Sequence, residues 1–410
     1  MSTAPPPAAR AETLALAAER YGTPAYVYDL DRVRAHADHL TRTLPGVQIR
    51  YSVKANPNAA ICRAVAERGL GAEVSSAGEF ATAVQVGFRP EQIMVSGPYK
   101  EPALLARLAS MPGTLISVDS LSELAQLATG TDVSVPRRVV LRLRPDYPAA
   151  GDMCVGPSMR FGIPIDDIEQ AVPLLEGGGV RCVGFHVYAG SQILDAAEAA
   201  GQLNSAHELV TRAAKTLNLT PEVINLGGGF GVPYRAGDGE LDLAPIAATL
   251  RDLAAASPGA QLILELGRYL VADAGWYLTR VVHQQSFAGR PAVVVDGGIH
   301  HRPDLCGLEL AHQAAPPLLL GPVRNGTHGT QPTAVLGCLC LPWDILADAA
   351  TLPALHTGDV LAFATAGAYG LSAAPTAFLG HRLPAEVIID GDAIDTLAAV
   401  QPTADPAGAP

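Results

Sequence analysis

IRYSVKANPNAAICRAVAERGLGAEVSSAGEFATAVQVGFRPEQIMVSG, residues 49–97, writes out one structural unit and then repeats it. Each copy opens on a short apolar or β-branched run (IRYSV, AEVSS, IMVSG) and crosses a polar or Gly-bearing turn. It then enters an Ala/Leu-rich stretch of helical period such as ICRAVAERG or AGEFATAVQVG. Those stretches have the length of right-handed crossovers between parallel strands. Working outward, LISVDS (115–120), VVLRLRP (139–145), CVGFHVY (182–188), EVINLGG (222–228) and LILELG (262–267) bring the apolar runs to eight. Eight units over about 250 residues predict an α/β fold of the (β/α)8 TIM-barrel type.

After residue 285 the texture turns β-rich and is punctuated by Gly, Pro and Asp, as in PAVVVDGG, PTAVLGCLC, GDVLAFATAGAYG and PAEVIIDGD. The expected organisation is an N-terminal segment (1–33), a barrel (34–284) and a C-terminal β-sandwich or β-barrel domain (285–410). The strand-like AYVYDL (25–30) is expected to join the β-domain. The Pro- and Ala-rich ends, 1–10 and 401–410, are expected to be disordered.

The chain has 410 residues, 49% apolar and 17% charged, with a net charge of −12. No apolar run reaches the roughly 18 residues that cross a bilayer. The first twenty residues lack the basic start and apolar stretch of a secretory signal, so the cytoplasm is the expected compartment. The acidic balance and the lack of basic clusters disfavour nucleic acid or an anionic membrane as partners. The six scattered cysteines read as reduced thiols. Cys338 and Cys340 form a lone Cys-x-Cys with no second Cys or His pair at zinc spacing, so no metal is expected.

In such a barrel the active site lies at the C-terminal ends of the strands. There the sequence places Lys54 after the first strand, Glu73 and Ser76 on the second, and Arg142 and Arg144 on the fifth. His186 follows on the sixth, Gly227–Gly231 on the seventh, and Glu265, Gly267 and Arg268 on the eighth. Each has a plain alternative: a tight turn, a surface arginine, a satisfied core histidine, a buried ion pair. Lysine, however, occurs only three times in the chain, at Lys54, Lys100 and Lys215. Taken together the groups ask for a ligand with a phosphate, an aromatic face for His186, a basic ring nitrogen for Glu265 and an electrophilic carbon for Lys54. Pyridoxal phosphate has all four, and its aldehyde forms a Schiff base with a lysine amine. Arginine could not serve, because its guanidinium stays charged.

These residues resemble the fold-type III pyridoxal-phosphate enzymes, in particular the diaminopimelate and ornithine decarboxylase group. YSVKANPN looks like that family's lysine motif, AEVSSAGE its second-strand motif, and HVYAGSQ its histidine motif. NLGGGFG is similar to its phosphate loop, ELGRYLVA to its Glu-x-Gly-Arg motif, and GAYG (367–370) and LPAEVIIDG (383–391) to its closing motifs. The resemblance implies a head-to-tail homodimer with shared sites. Lys54, Glu73, Arg142, His186, Ser191, Gly228, Gly229, Gly231, Glu265, Gly267, Arg268 and Tyr369 would hold the cofactor. GCLCLPWD (337–344) is similar to the family's Gly-x-x-Cys-acid segment, making Cys340, given by the other chain, the acid that returns a proton to Cα, and Cys338 a bystander.

Two departures bear on the substrate. Where decarboxylases of basic amino acids carry an acidic residue after that cysteine, this chain has Leu341. An unpaired ammonium against an apolar side chain costs several kcal/mol. HHRPDLCG (300–307) keeps Arg302 of a similar family segment but has Cys306 in place of its tyrosine. The Cys-x-Pro-x-Asp pattern resembles a secondary-metabolism branch that includes decarboxylases of aminoacyl groups tethered to carrier proteins. Arg302, Leu341, Asp344 and Tyr369 are the expected substrate-binding residues. The expected activity is α-decarboxylation of a non-basic amino acid, including a glutamyl- or aspartyl-type group on an acyl carrier protein. The alternatives are a diaminopimelate decarboxylase and a non-catalytic cofactor-binding protein.

Overall fold

The computed structural model describes residues 8–129, 135–151, 153–154, 160–176, 178–235, 237–302, 315–321 and 329–396. Eight parallel strands close into a barrel: Gln48–Ser52, Gly71–Val74, Ile93–Val95, Leu115–Val118, Arg137–Leu143, Val180–Val187, Val223–Gly228 and Gln261–Leu266. Closure comes from the last strand pairing with the first, Leu264 opposite Ile49 and Glu265 opposite Arg50. Every run read from the sequence is one of these strands. Their near-continuous apolar character follows from burial on both faces, with Met94, Leu115, Val140, Val183, Val223 and Ile263 packed into one cluster.

Three of the turns that follow the strands are fixed by helix caps. Asn58 accepts from the Ala60 amide at the start of Ala59–Glu67, Ser76 from Glu79 at Ala77–Val86, and Ser120 from Glu123 at Leu121–Ala128. Each such cap stabilises its helix by about 1 kcal/mol.

A second compact unit comprises residues 1–33, 233–239 and 271–410. Its described strands form a nine-stranded sheet. Ala25–Asp29 lies within it, antiparallel to Gly275–Phe287 and parallel to Ala385–Asp390. The N-terminal strand therefore belongs to the β-rich unit. The boundary expected after residue 284 needs correction, because it falls inside the 13-residue strand Gly275–Phe287. That strand pairs with Ala25–Asp29 along its first four residues, Gly275–Leu278, and the barrel unit ends at Leu270.

Residues 8–10, expected to be disordered, begin a helix, Ala8–Tyr21. Leu14, Ala17 and Ala18 of that helix pack with Val27, Trp276, Leu278, Val387 and Ile389. Residues 1–7 and 401–410 lie outside the described residues. Among the described residues no helix is long and apolar enough to cross a membrane.

Candidate active site

At the mouth of the barrel Lys54 sits in the turn Val53–Ala55 directly after the first strand. Its Nζ donates to Glu73 Oε2 at 2.8 Å. The lysine side chain is 43% exposed and the glutamate fully buried, so the amine is held from below and open from above. The other carboxylate oxygen of Glu73 accepts from the hydroxyls of Ser75 and Ser96. Lys100 makes the contrast: buried, it donates to Gly97 O, Ser117 O and Glu123 Oε1. Burial pulls its ammonium below the usual lysine range, against the opposing pull of Glu123. Lys100 is a fastener, whereas Lys54 has the exposure a nucleophile needs.

Across the mouth, His186 and Glu265 stand 3.4 Å apart, Nε2 to Oε1, both almost completely buried. Ser117 Oγ meets His186 Nδ1 at 2.8 Å, and Asn225 Nδ2 donates to Glu265 Oε1 at 2.6 Å. Burial alone would raise the Glu265 carboxyl, but His186, the Lys54 charge and the Asn225 hydrogen bond together bring it below the ordinary carboxylate range. Glu265 is thus a buried anion before any ligand arrives. Beneath it Arg50 is buried and lowered to about 10 by desolvation, with the charges of Glu265 and Glu73 acting the other way.

The seventh strand runs into Gly227–Gly231. Gly229 has φ +93°, and a Cβ there would come within 2.2 Å of Gly190 O, so only glycine lets this loop lie against the loop carrying Ser191. Backbone bonds lock the two together: Ile193 N to Gly229 O at 3.0 Å and Gly231 N to Ile193 O at 2.8 Å. Ser191, half-buried, belongs to the two-residue strand Gly190–Ser191, paired with Met153–Cys154. Gly267 brings the last strand end against the lysine turn, since a Cβ would meet Ala55 Cβ at 2.8 Å and Ser52 Cβ at 3.1 Å. Buried Arg268 follows and opens the turn Arg268–Val271. Arg142 donates to Asp119 at 2.9 Å and lies over the Phe161 ring at 5.0 Å.

The remaining expected residues belong to the sheet unit. Cys340 is exposed and Leu341 half-buried. Asp344 is buried, its two carboxylate oxygens taken up by the amides of Ile299 at 2.8 Å and Leu339 at 2.7 Å. Arg302 is not a solvated loop arginine: it is 2% exposed and donates to Ala364 O at 3.0 Å and Thr365 O at 3.3 Å. Tyr369, half-buried, has φ +53°, a conformation that non-glycine residues adopt rarely and most often where a side chain is held for a purpose. Cys306 lies outside the described residues.

Sequence reasoning missed Ser117, Asn225, Ser96 and Asp119. Inward alternation along the strands was the available signal, since Ser117 lies in LISVDS and Asn225 two residues before Gly227.

The barrel residues fit pyridoxal phosphate on the structure's own terms. His186 Nε2 is buried without a hydrogen bond, and it faces a carboxylate held ionised. A half-exposed amine and a glycine loop complete the set. Lys54 would take the aldehyde, Glu265 the ring nitrogen, and Ser191, Gly228, Gly229, Gly231 and Arg268 the phosphate.

Comparison with known proteins agrees with this geometry. The family model for the pyridoxal binding domain of pyridoxal-dependent decarboxylases matches residues 30–272. An L-glutamyl-[BtrI acyl-carrier protein] decarboxylase from Niallia circulans is 34% identical over 396 residues, covering 92% of this chain and 91% of that one. A diaminopimelate decarboxylase from Actinosynnema pretiosum subsp. auranticum is 33% identical over 390 residues, covering 91% and 86%. The crystal structure of Helicobacter pylori diaminopimelate decarboxylase complexed with L-lysine superposes with a TM-score of 0.82 over 94% of this chain and 95% of that one. At 24% identity it supports the fold.

Proposed function

We propose, for a chain that belongs to the pyridoxal-dependent decarboxylases, that its substrate is non-basic: a glutamyl- or aspartyl-type group carried on an acyl carrier protein. The chain is a pyridoxal-phosphate-dependent amino-acid decarboxylase.

The observation that carries the reading is the state of GCLCLPWD. A distal ammonium needs a carboxylate, and the residue after the cysteine is Leu341. The segment's one acid, Asp344, is buried and already spends both oxygens on backbone amides. Pro342 and Trp343 beside it are exposed, Trp343 by 59%, so the segment offers an apolar rim. A pantetheine arm suits a neutral surface and a basic side chain does not. The relative named for a carrier-bound glutamyl substrate supports the same assignment.

When bound, pyridoxal phosphate supplies an aldehyde that joins an amine and a ring that takes up the electron pair left at Cα as CO2 departs. Lys54, its amine held by Glu73, would anchor the aldehyde and make way for the substrate amine. Glu265, kept anionic by His186, Lys54 and Asn225, would hold a proton at the ring nitrogen. His186, whose Nδ1 is held by Ser117, would help hold the cofactor. The Cys340 thiol returns a proton to Cα. We place Cys340 on a second copy of the chain, as the resemblance to the head-to-tail dimers implies, and its exposure in the single chain suits that role. The resemblance to the family would also assign substrate binding to Arg302 and Tyr369.

The test is mass analysis of a glutamyl-loaded carrier protein incubated with the holoenzyme. Loss of one CO2 from the intact carrier is expected. An unchanged carrier, together with rapid CO2 release from free meso-diaminopimelate, would overturn the reading in favour of the diaminopimelate decarboxylases that the chain also resembles.

A further inference from the structure

In the sheet unit, three side chains with metal-binding atoms converge: His300, Cys338 and His381, whose ligand atoms all lie within 4.8 Å of one another. We propose that they form a binding site for a divalent transition metal of the zinc class, built from none of the residues expected to hold the cofactor.

His300 argues most strongly. It is 1% exposed, and neither ring nitrogen has a hydrogen-bond partner. A buried imidazole with two idle nitrogens is costly unless something occupies one of them. Its neighbour His301 shows what a structural histidine looks like here: Nδ1 lies 3.2 Å from the Tyr277 hydroxyl and Nε2 3.0 Å from Arg382 O. The two residues are adjacent in sequence and their rings stand 3.6 Å apart, yet only one is satisfied.

The backbone around the cluster is pinned. Asp344 holds the amides of Ile299 and Leu339, the residues flanking His300 and Cys338, and the Cys338 amide donates to Gly297 O at 2.9 Å. The carboxylate is packed so closely that a Cβ on Gly337 would approach it to 2.1 Å. His381 comes from outside this knot, is exposed, and places Nδ1 4.0 Å from Cys338 Sγ. Tetrahedral zinc, with bonds of about 2.0–2.3 Å, sets its ligand atoms roughly 3.3–3.7 Å apart. Two fixed ligands and one movable one can close that gap by rotation of the His381 side chain.

A thiolate and two imidazoles select zinc or cobalt over magnesium or calcium, and leave a fourth position for water. Binding converts the Cys338 thiol to a thiolate, its proton passing to solvent. The ion would tie 297–302 and 337–344 to the segment before Ala385–Asp390, two residues from Cys340. The lone Cys-x-Cys could not reveal this, because the histidines come from distant segments.

The test is titration of the full-length, tag-free holoenzyme with Co2+, followed by difference absorption spectroscopy and competition with Zn2+. One equivalent is expected to bind with a thiolate-to-cobalt charge-transfer band and to be displaced by zinc. His381→Ala, a surface change that spares the fold, should weaken binding at least about tenfold, and Cys338→Ser should abolish the band. Absence of tight binding, cobalt bound without a thiolate band, affinity unchanged in His381→Ala, or a band lost in Cys340→Ser but kept in Cys338→Ser would each overturn the proposal.

Discussion

Lys54 Nζ and Glu73 Oε2 meet at 2.8 Å, the lysine half in solvent and the glutamate sealed beneath it. That asymmetry fixes the amine while leaving it accessible. Lys54→Ala should abolish the visible absorbance of the bound cofactor, and Glu73→Gln should retain it while weakening cofactor loading about tenfold, the loss of one charge-assisted contact. Spectral titration with pyridoxal phosphate measures both. An unchanged spectrum in Lys54→Ala would refute its role as the anchor.

Glu265 makes a prediction in pH. Its carboxyl is lowered in the folded chain despite burial, by His186, Lys54 and Asn225. A group lowered on folding contributes stability fully above its unfolded value, about 4.5, and loses it as pH falls toward the folded one. Thermal melting of the cofactor-free chain should show wild type above Glu265→Gln by several degrees at pH 7, with the gap closing below about pH 4.5. A gap that widens in acid would contradict the sign. In the holoenzyme the same substitution should cut kcat by about a hundredfold or more, with a smaller change in KM.

The proposed sharing of sites between two chains predicts complementation. Cys340→Ala should reduce turnover strongly, since proton return to Cα loses its donor. Mixing inactive Lys54→Ala and Cys340→Ala chains under conditions of subunit exchange should restore up to about a quarter of the activity, because random pairing yields one intact site in half of the dimers. No recovery despite demonstrated exchange would argue that each chain supplies its own cysteine.

Leu341→Glu should move the preference toward diamino acids, by roughly tenfold or more in kcat/KM for meso-diaminopimelate relative to the wild-type chain. Steady-state assays decide it. An unaltered preference would mean that the position after Cys340 does not face the distal end of the substrate.

The barrel was legible because each strand announces itself as an apolar run and several of the turns carry a helix cap. Lys54 stood out because lysine is rare, and Glu265 because it interrupts LILEL. Ser117 and Asn225 carry no such mark: a hydroxyl and an amide on a strand gain meaning only once closure sets them against His186 and Glu265. The helix Ala8–Tyr21 is rich in helix-forming Ala, Leu and Glu, but the Pro- and Ala-rich residues at its start mask it, and its partners, Trp276 and Val387, lie hundreds of residues away. The unit boundary was misplaced for the same reason: Gly275–Phe287 follows the last barrel strand in sequence but pairs with Ala25–Asp29. His300, Cys338 and His381 likewise come together only through the sheet unit's folding.

The central claim concerns the substrate, and one measurement tests it most directly. kcat/KM for CO2 release should be determined side by side for glutamyl-loaded carrier protein, free glutamate and free meso-diaminopimelate, using one preparation of holoenzyme. The account predicts that the carrier-bound substrate exceeds both free amino acids by about a hundredfold or more, as expected where an unpaired ammonium and a missing arm each lower transition-state binding. A higher value for meso-diaminopimelate would contradict it.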